Sequence, residues 1–242
     1  MNMAKAVSNT EEDLSYHSLR FERKFIFEGM LLEDILANVV LCNPFCFKEI
    51  FHRRTVNNIY FDDQNMSFYR QNVAGDANRE KYRLRWYGDN FTQVSNPTFE
   101  IKKKYGETGD KYSYKLKGAS FDLKETKALG AQDIIEAQLL AEENLTLYNN
   151  LRQLEPALYN TYERRYFLSH CERFRITLDY NMGFYNTKAD AFLNTNVKAD
   201  DIVLELKYER AHDDESRDLT QYFPVRLSKN SKYVRGIDLF NR

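Results

Sequence analysis

The sequence is poor in residues that break or cross-link a chain. Its 242 residues include nine glycines, four prolines, three cysteines and one tryptophan. Few turn-breaking residues favour long strands and helices, and this composition excludes a collagen-like or disordered chain. Cys42, Cys46 and Cys171 are odd in number and no pair has CxxC spacing, which excludes a disulfide-stapled miniprotein and favours reduced thiols in the cytoplasm.

The sequence also lacks a long apolar run and an excess of charge of either sign. The longest stretch without a charged residue, 35–47, is shorter than the roughly 20 apolar residues that a membrane span needs. The first 13 residues are polar and acidic, unlike a secretory signal. Because 35 basic and 36 acidic residues nearly cancel, nothing draws the whole chain to nucleic acid or an anionic membrane. We expect a cytoplasmic protein that neither spans a membrane nor binds nucleic acid.

Aromatic residues are abundant, with 17 tyrosines and 17 phenylalanines, and many occur in alternating patterns. Period-two alternation predicts strands over residues 20–27, 57–62, 79–87, 98–105, 112–117, 159–169, 174–180 and 202–208. Helical spacing predicts helices over 29–40, 131–154 and 213–222, the second interrupted near Asn144. No repeat or linker divides the chain, so we expect a flexible arm at residues 1–18 and a single domain over 19–242.

The polar face of these strands is charged and mainly basic. Lys81, Arg83 and Arg85 share one face of a strand whose other face is aromatic and aliphatic, and Glu205 and Lys207 alternate with leucines in the same way. A sandwich with a solvated charged surface explains one such strand. A closed barrel with charged residues inside explains why strand after strand repeats the pattern. Strand parity alone leaves sandwich and barrel undecided.

A barrel interior this basic is tolerable only if it is wet and holds an anion, because burying unpaired charge is costly. Guanidinium and ammonium groups on several sides would wrap a chain of phosphates. A few carboxylates share the inward faces and could hold a divalent cation against those phosphates. These are Glu22, Glu100, Asp179 and Glu205.

Eight short motifs, each weak alone, occur in the order and with the spacing of a known family. They are RFERKF (20–25), NIYFD (58–62), KYRLR (81–85), FEIKKK (99–104), YERRY (162–166), RITLD (175–179), LELK (204–207) and SKNSK (228–232). From about residue 19 to 238, the sequence resembles the catalytic domain of the vacuolar transporter chaperone (VTC) family. That family is a branch of the triphosphate tunnel metalloenzymes, which are also described as CYTH-like.

The resemblance implies an α+β fold in which an antiparallel β-barrel, the triphosphate tunnel, has helices packed outside. In the polymerase branch of the family, the terminal phosphoryl group of ATP is transferred to a growing inorganic polyphosphate chain with a divalent metal, Mn²⁺ or Mg²⁺. The expected ligands are therefore ATP and polyphosphate or pyrophosphate. The resemblance leaves open the oligomeric state and a membrane-protein partner that receives the product.

Site residues follow from the same resemblance, position by position. The expected phosphate ligands are Lys24, Arg83, Arg85, Lys102, Lys115, Arg164, Lys229 and Lys232. Arg175 and Lys207 join them because they lie on the same inward faces. Glu205 is the expected metal ligand, and the inward Glu22 is a second candidate. Among these residues, we expect Lys24, Arg83, Arg85 and Glu205 to act in catalysis. Tyr60 and Asp62 match a family motif whose role we interpret as structural.

One position departs from the wider superfamily, which has two glutamates at alternate positions before the lysine of its first strand. Here the first of them is Arg20, so a potential metal ligand is missing. This departure disfavours a two-metal hydrolytic mechanism and favours the polymerase branch. Two alternatives stay open: a tunnel-type phosphatase that hydrolyses nucleoside triphosphate or tripolyphosphate, and a non-catalytic module that binds polyphosphate or nucleotide.

Overall fold

The structure, a computed structural model, describes residues 20–106 and 108–241, so the expected arm at residues 1–18 lies outside the described residues. Its strands are β1 (Arg20–Phe27), β2 (Lys48–Asp62), β3 (Asn78–Tyr87), β4 (Gln93–Ser95), β5 (Thr98–Tyr105), β6 (Thr108–Lys115), β7 (Ser120–Asp122), β8 (Glu155–Leu168), β9 (Arg175–Tyr185), β10 (Val197–Ala199), β11 (Ile202–Glu209) and β12 (Leu227–Ser228). Its helices are α1 (Leu32–Ile35), α2 (Ser67–Ala74), α3 (Leu123–Ala141), α4 (Leu145–Leu151), α5 (Asp213–Thr220) and α6 (Lys232–Phe240).

The predicted elements are present, and several are longer than the alternation indicates. The bounds of β1 and β5 coincide with the predicted strands. β2 begins nine residues before its predicted start because its first half is largely exposed and carries no clear apolar face. The predicted break near Asn144 is confirmed, since its side chain accepts a hydrogen bond from the Leu147 amide at the start of α4. The predicted helix over 29–40 is α-helical only in α1 and continues as a π-helix to Leu41.

Ten strands form one antiparallel sheet in the order β12–β1–β11–β9–β8–β2–β3–β5–β6, with β10 paired to β9. The sheet curls until its two ends approach, so that Lys102 of β5 lies 3.6 Å from Glu22 of β1. Lys81 of β3 likewise donates a hydrogen bond of 2.9 Å to Ser231, which follows β12. Within the described residues no backbone pairing joins β6 to β12. The α+β tunnel architecture is confirmed, and among the described residues side chains bridge the gap between the two ends of the sheet.

Apolar residues on the outer face of the sheet hold it in this curl. α3 and α4 bury Ile135, Leu139 and Leu151 against Leu84 and Phe99 of β3 and β5. On the other side, α1, its π-helical continuation and α5 cover β1, β9 and β11. Each fully buried side chain of this size contributes about 1.5–3 kcal/mol. Successive side chains of a strand point to opposite faces of the sheet. Because the apolar side chains pack outward against the helices, the charged side chains between them point inward.

α6 does not follow the expectation that helices pack outside the sheet. A Cβ at its Gly236 would clash with the side chains of Leu158 and Phe184. Leu158 is the register partner of Tyr60, whose side chain lines the interior cavity, so α6 lies on the concave side. Tyr233 and Ile237 of α6 are buried in this interior. None of the helices in the described part of the chain is both long and apolar enough to cross a membrane.

Candidate functional site

The concave face of the sheet encloses a cavity of about 250 Å³ whose wall is strongly basic. Nine lysine and arginine side chains line it, against three glutamates. Of the twelve site residues predicted from the sequence, nine line this cavity. They are Glu22, Lys24, Arg83, Arg85, Lys102, Arg164, Glu205, Lys207 and Lys232.

The remaining three predicted residues, Lys115, Arg175 and Lys229, are exposed and lie outside the cavity wall. Lys115 ends β6 and Arg175 begins β9, where it pairs in register with Lys207. Lys229 lies in the short connection between β12 and α6. Lys115 and Arg175 lie on the inward face of their strands, as predicted, but at strand ends that do not reach the cavity. Lys229 lies beyond the end of β12 and does not reach it either. Their role in binding phosphate stays a prediction.

The cavity also contains residues that the sequence predictions missed. Lys81 lines it, and its parity with Arg83 was a signal that could have placed it in the site. Lys111 lines it because β6 begins at residue 108, whereas the alternation predicts that strand only from residue 112. Tyr60, interpreted as structural, contributes its ring to the wall and stacks on Tyr233 with ring centroids 5.3 Å apart. The tyrosine rings give the cavity a rigid, partly apolar floor.

A fully buried carboxylate fixes two of the cations. Asp179 of β9 accepts two hydrogen bonds from the Arg164 guanidinium, of 2.5 and 2.6 Å, and a third of 2.5 Å from the Lys232 ammonium. Burial alone would raise the pKa of Asp179, but the two cations outweigh it and lower that pKa. Both cations also lie over the Tyr162 ring, at 5.3 and 4.7 Å from its centroid. Asp179 therefore positions the two cations with little freedom.

Glu205 of β11 is only 7% exposed and is surrounded by cations. Its carboxylate oxygens lie 3.4 Å from the Lys207 ammonium, 3.6 Å from the Arg164 guanidinium and 3.7 Å from the Lys24 ammonium. Burial opposes its ionisation, but these cations hold the pKa of Glu205 well below its usual value. Glu205 is therefore ionised over the whole physiological pH range, as a metal ligand must be.

A second carboxylate orients the arginines of β3. Glu100 of β5 lies 2.5 Å from the Arg83 guanidinium and 2.5 Å from the Lys111 ammonium. Burial would raise its pKa, but Arg83 and Arg85 outweigh burial and lower the pKa of Glu100 to about 2. Arg85 also donates a hydrogen bond of 2.8 Å to the Asn58 side chain. Glu100, Asn58 and the Tyr162 hydroxyl thus fix the orientation of the two guanidinium groups in the cavity wall.

Charges alternate where the two ends of the sheet meet. The Glu22 carboxylate forms an ion pair with the Lys24 ammonium at 3.0 Å. It also lies 3.6 Å from the Lys102 ammonium and 3.7 Å from the Lys207 ammonium. Burial and the neighbouring Glu205 would raise the pKa of Glu22, but the three lysines lower it to about 2. Burial likewise opposes the charge of Lys24, whose pKa is nevertheless raised by the two glutamates. Glu22, Glu205 and Lys24 are therefore charged at neutral pH.

Lys81 has a different environment from the other cations of the cavity. Its ammonium donates a hydrogen bond to the Ser231 hydroxyl, and within the described residues no carboxylate lies within ion-pair distance of it. Burial, reinforced by Lys24, Lys102, Arg79 and Arg83, lowers its pKa to about 7. Lys81 is therefore only partly protonated near neutral pH.

The side chains of the cavity could hold a divalent metal ion whose remaining ligands are phosphate oxygens of the substrate. In the described part of the chain, no group of three or more His, Cys, Asp or Glu side chains is placed to hold an ion. Glu22 and Glu205 share one face on neighbouring strands, and Mg²⁺-type ions are commonly held by one or two carboxylates plus substrate phosphates. The buried Thr177 hydroxyl, register partner of Glu205, has no hydrogen-bond partner among the described residues and adds an oxygen donor. These donors do not form a complete site by themselves.

Comparisons with known proteins agree with this geometry. Over 179 residues, the chain is 25% identical to the vacuolar transporter chaperone complex subunit 4 of Schizosaccharomyces pombe; the match covers 66% of this chain and 24% of that protein. The chain thus spans about a quarter of that relative. Its fold is similar to that of a proposed adenylate cyclase from Bacillus halodurans, with a TM-score of 0.52 and 14% identity over 90% of this chain and 96% of that one.

A second solved structure, the PH1819 protein from Pyrococcus horikoshii, has a TM-score of 0.49 and 11% identity over 91% of this chain and 98% of that one. At 14% identity, the Bacillus structure shows the fold alone. The VTC domain matches residues 19–241, nearly the whole chain and every residue that lines the cavity. The protein therefore belongs to the VTC domain family.

Proposed function

We propose that this protein transfers the terminal phosphoryl group of ATP to a growing inorganic polyphosphate chain, in the cytoplasm and with Mn²⁺ or Mg²⁺. The observation that carries the proposal is the enclosed cavity lined by nine cationic side chains against three carboxylates. Membership of the VTC domain family supports it. The related yeast protein is named as a subunit of a complex, so a partner protein that takes up the product is part of the proposal.

The charge of the cavity requires a polyanion. Each pair of unit charges 4 Å apart interacts by about 4 kcal/mol at an effective dielectric constant near 20. The excess of cations therefore opposes folding until an anion neutralises it. A triphosphate spreads its negative charge along a line of oxygens, and the guanidinium forks of Arg83, Arg85 and Arg164 suit pairs of such oxygens. A single orthophosphate would neutralise only part of the excess positive charge along this wall.

Phosphoryl transfer asks mainly for alignment and charge neutralisation. A terminal oxygen of the polyphosphate chain forms a bond to the γ-phosphorus, and the bond from that phosphorus to the β,γ-bridging oxygen breaks, so ADP leaves with the electron pair. The attacking oxygen is already ionised, so no side chain needs to remove a proton. Arg83, Arg85 and Lys24 hold the phosphates in line, and Asp179 keeps Arg164 and Lys232 in place. A divalent cation held by Glu205, with Glu22, would supply additional charge neutralisation at the phosphate oxygens.

Phosphorus NMR of the purified protein incubated with ATP and Mn²⁺, then quenched with chelator, tests the proposal. We expect a growing signal from chain-internal phosphates together with ADP. Orthophosphate without polymer would contradict the polymerase and favour a tunnel-type triphosphatase. Unchanged ATP would contradict both enzymes and leave a module that binds polyphosphate or nucleotide.

Two variants test the roles of individual residues in the same assay. Arg83→Ala and Glu205→Gln should each remove most turnover. Arg83→Ala removes a cation that acts in the transition state, at a cost of about 2.7–4 kcal/mol by analogy with lost oxyanion donors. Glu205→Gln removes the charge of the carboxylate that would hold the divalent cation. Arg165→Ala is a matched control, because Arg165 has the opposite parity to Arg164 on β8 and pairs with Glu49 at 2.6 Å. It should turn over ATP like the parent. Parental turnover in either cavity variant would refute its assignment.

A further inference from the structure

Three aromatic rings surround one arginine at the end of the tunnel where β3 ends. The guanidinium carbon of Arg54 lies 4.9 Å from the centre of the Phe51 ring, 5.6 Å from that of Tyr166 and 5.9 Å from that of Tyr87. Phe51 and Tyr166 meet edge to face, with ring centroids 5.7 Å apart. We call these four residues the mouth cluster.

The mouth cluster continues the inner face of the tunnel. Tyr87 follows Arg85 by two residues on β3, and Tyr166 follows Arg164 by two residues on β8. Because side chains alternate along a strand, each tyrosine shares the face of its arginine. Arg54 is the register partner of Arg164 across β2 and β8. A two-residue step along a strand is about 7 Å, so the rings lie one such step beyond the guanidinium groups of the cavity.

The rings of the mouth cluster do not fill a core. Phe51 is 47% exposed and Tyr87 is 50% exposed. Single exposed aromatic residues are ordinary, but these are contiguous and surround a cation. Arg54 itself has no ion-pair partner in the described ranges 20–106 and 108–241. Half-exposed rings beside an arginine form the kind of surface on which the flat faces of nucleobases stack.

We propose that the mouth cluster binds the base of the nucleoside triphosphate substrate, with the ribose spanning the step from its rings to Arg85 and Arg164. This assignment rests on the proposed function and adds a recognition site for the nucleoside. It also sets the direction of the substrate in the tunnel. On the inner face of β3, Arg79 and Lys81 lie at the end away from Tyr87. The terminal phosphate therefore points toward Lys81, and the polyphosphate chain extends from that end.

Calorimetric binding of two ligands, ATP and inorganic tripolyphosphate, separates the base site from the phosphate site. Loss of one stacking ring typically weakens binding by about tenfold. We expect the Phe51→Ala/Tyr87→Ala double variant to bind ATP at least about tenfold more weakly than the parent, while its affinity for tripolyphosphate is unchanged. Unchanged tripolyphosphate binding also shows that the variant has kept its tunnel. Both side chains are half-exposed, so folding should tolerate their removal.

Tyr112→Ala is the matched control, because Tyr112 is an exposed aromatic residue on the outer face of β6, in register with the buried Ile101. It should bind both ligands like the parent. Equal losses for ATP and tripolyphosphate in the double variant, or no loss for either, would overturn the assignment of the mouth cluster alone. If the parent protein binds neither ligand, the proposed function fails and this assignment fails with it.

Discussion

Lys81 should take up a proton when a polyphosphate ligand binds. Its ordinary pKa is 10.5, and burial together with four neighbouring cations lowers it to about 7 in the empty cavity. One added anionic charge about 4 Å away is worth about 4 kcal/mol at an effective dielectric constant near 20, which corresponds to about three pKa units. A bound triphosphate is therefore enough to restore most of the ordinary pKa.

The size of the effect follows from this difference. At pH 8 the Lys81 amine of the free protein is about nine-tenths neutral, whereas in the complex it is protonated, so binding takes up about one proton. Above pH 7, the affinity for ATP should then fall by up to about tenfold per pH unit until the pKa of the complex is reached. Below pH 7, Lys81 is already protonated and this dependence disappears.

Calorimetry of ATP binding at pH 8, in two buffers with different ionisation enthalpies, counts the protons directly. ATP itself is fully ionised at this pH and contributes little. The Lys81→Met variant should take up almost none, while Lys124→Met, which removes an exposed lysine at the start of α3, should match the parent. The reasoning is refuted if the parent takes up no proton, or if Lys81→Met takes up as many as the parent.

Three further predictions concern stability, each measured by urea unfolding with circular dichroism. Asp179→Asn should destabilise the protein by about 3–5 kcal/mol, because it leaves buried cations without their partner. Gly236→Ala should cost about 1–3 kcal/mol, since the added methyl group meets Leu158, and a smaller loss would show that α6 can shift. The pKa of Glu22 and of Glu100 is lowered to about 2 in the folded protein, so the stability they provide should be complete above about pH 4.5 and lost as the pH falls toward 2. A free energy of unfolding that stays constant over this pH range would contradict the prediction.

The inward charged face was predictable because it depends on local parity. The alternation around Arg83, Lys102 and Glu205 needs only a strand with one apolar face, and the structure places all three in the cavity. The family resemblance then distinguished a tunnel from a sandwich, which parity could not do. The sequence did not predict Lys111 as a site residue, because the start of β6 carries glycine and polar residues and has no alternation of apolar residues.

Other features depend on contacts between distant parts of the chain, and the sequence did not predict them. α6 lies inside the curl because Gly236 allows close approach to Leu158, and no local pattern distinguishes that helix from one on the outer surface. The lowered pKa of Lys81 arises from cations on three strands. The position of Arg54 among its rings depends on an irregular register between Phe51 and Arg54 in β2.

The placement of β1 has a consequence for how the protein folds. Among the strands of the described residues, β1 pairs only with β11 and β12, and the Lys24 ammonium donates to the Asn230 carbonyl, 206 residues away. Contacts this distant in sequence close large loops, so their entropic cost is met late in folding. One wall of the tunnel therefore cannot form during synthesis until β11 and β12 have emerged from the ribosome. Until then, the basic inner row of β3 and β5 stays open to any polyanion in the cell.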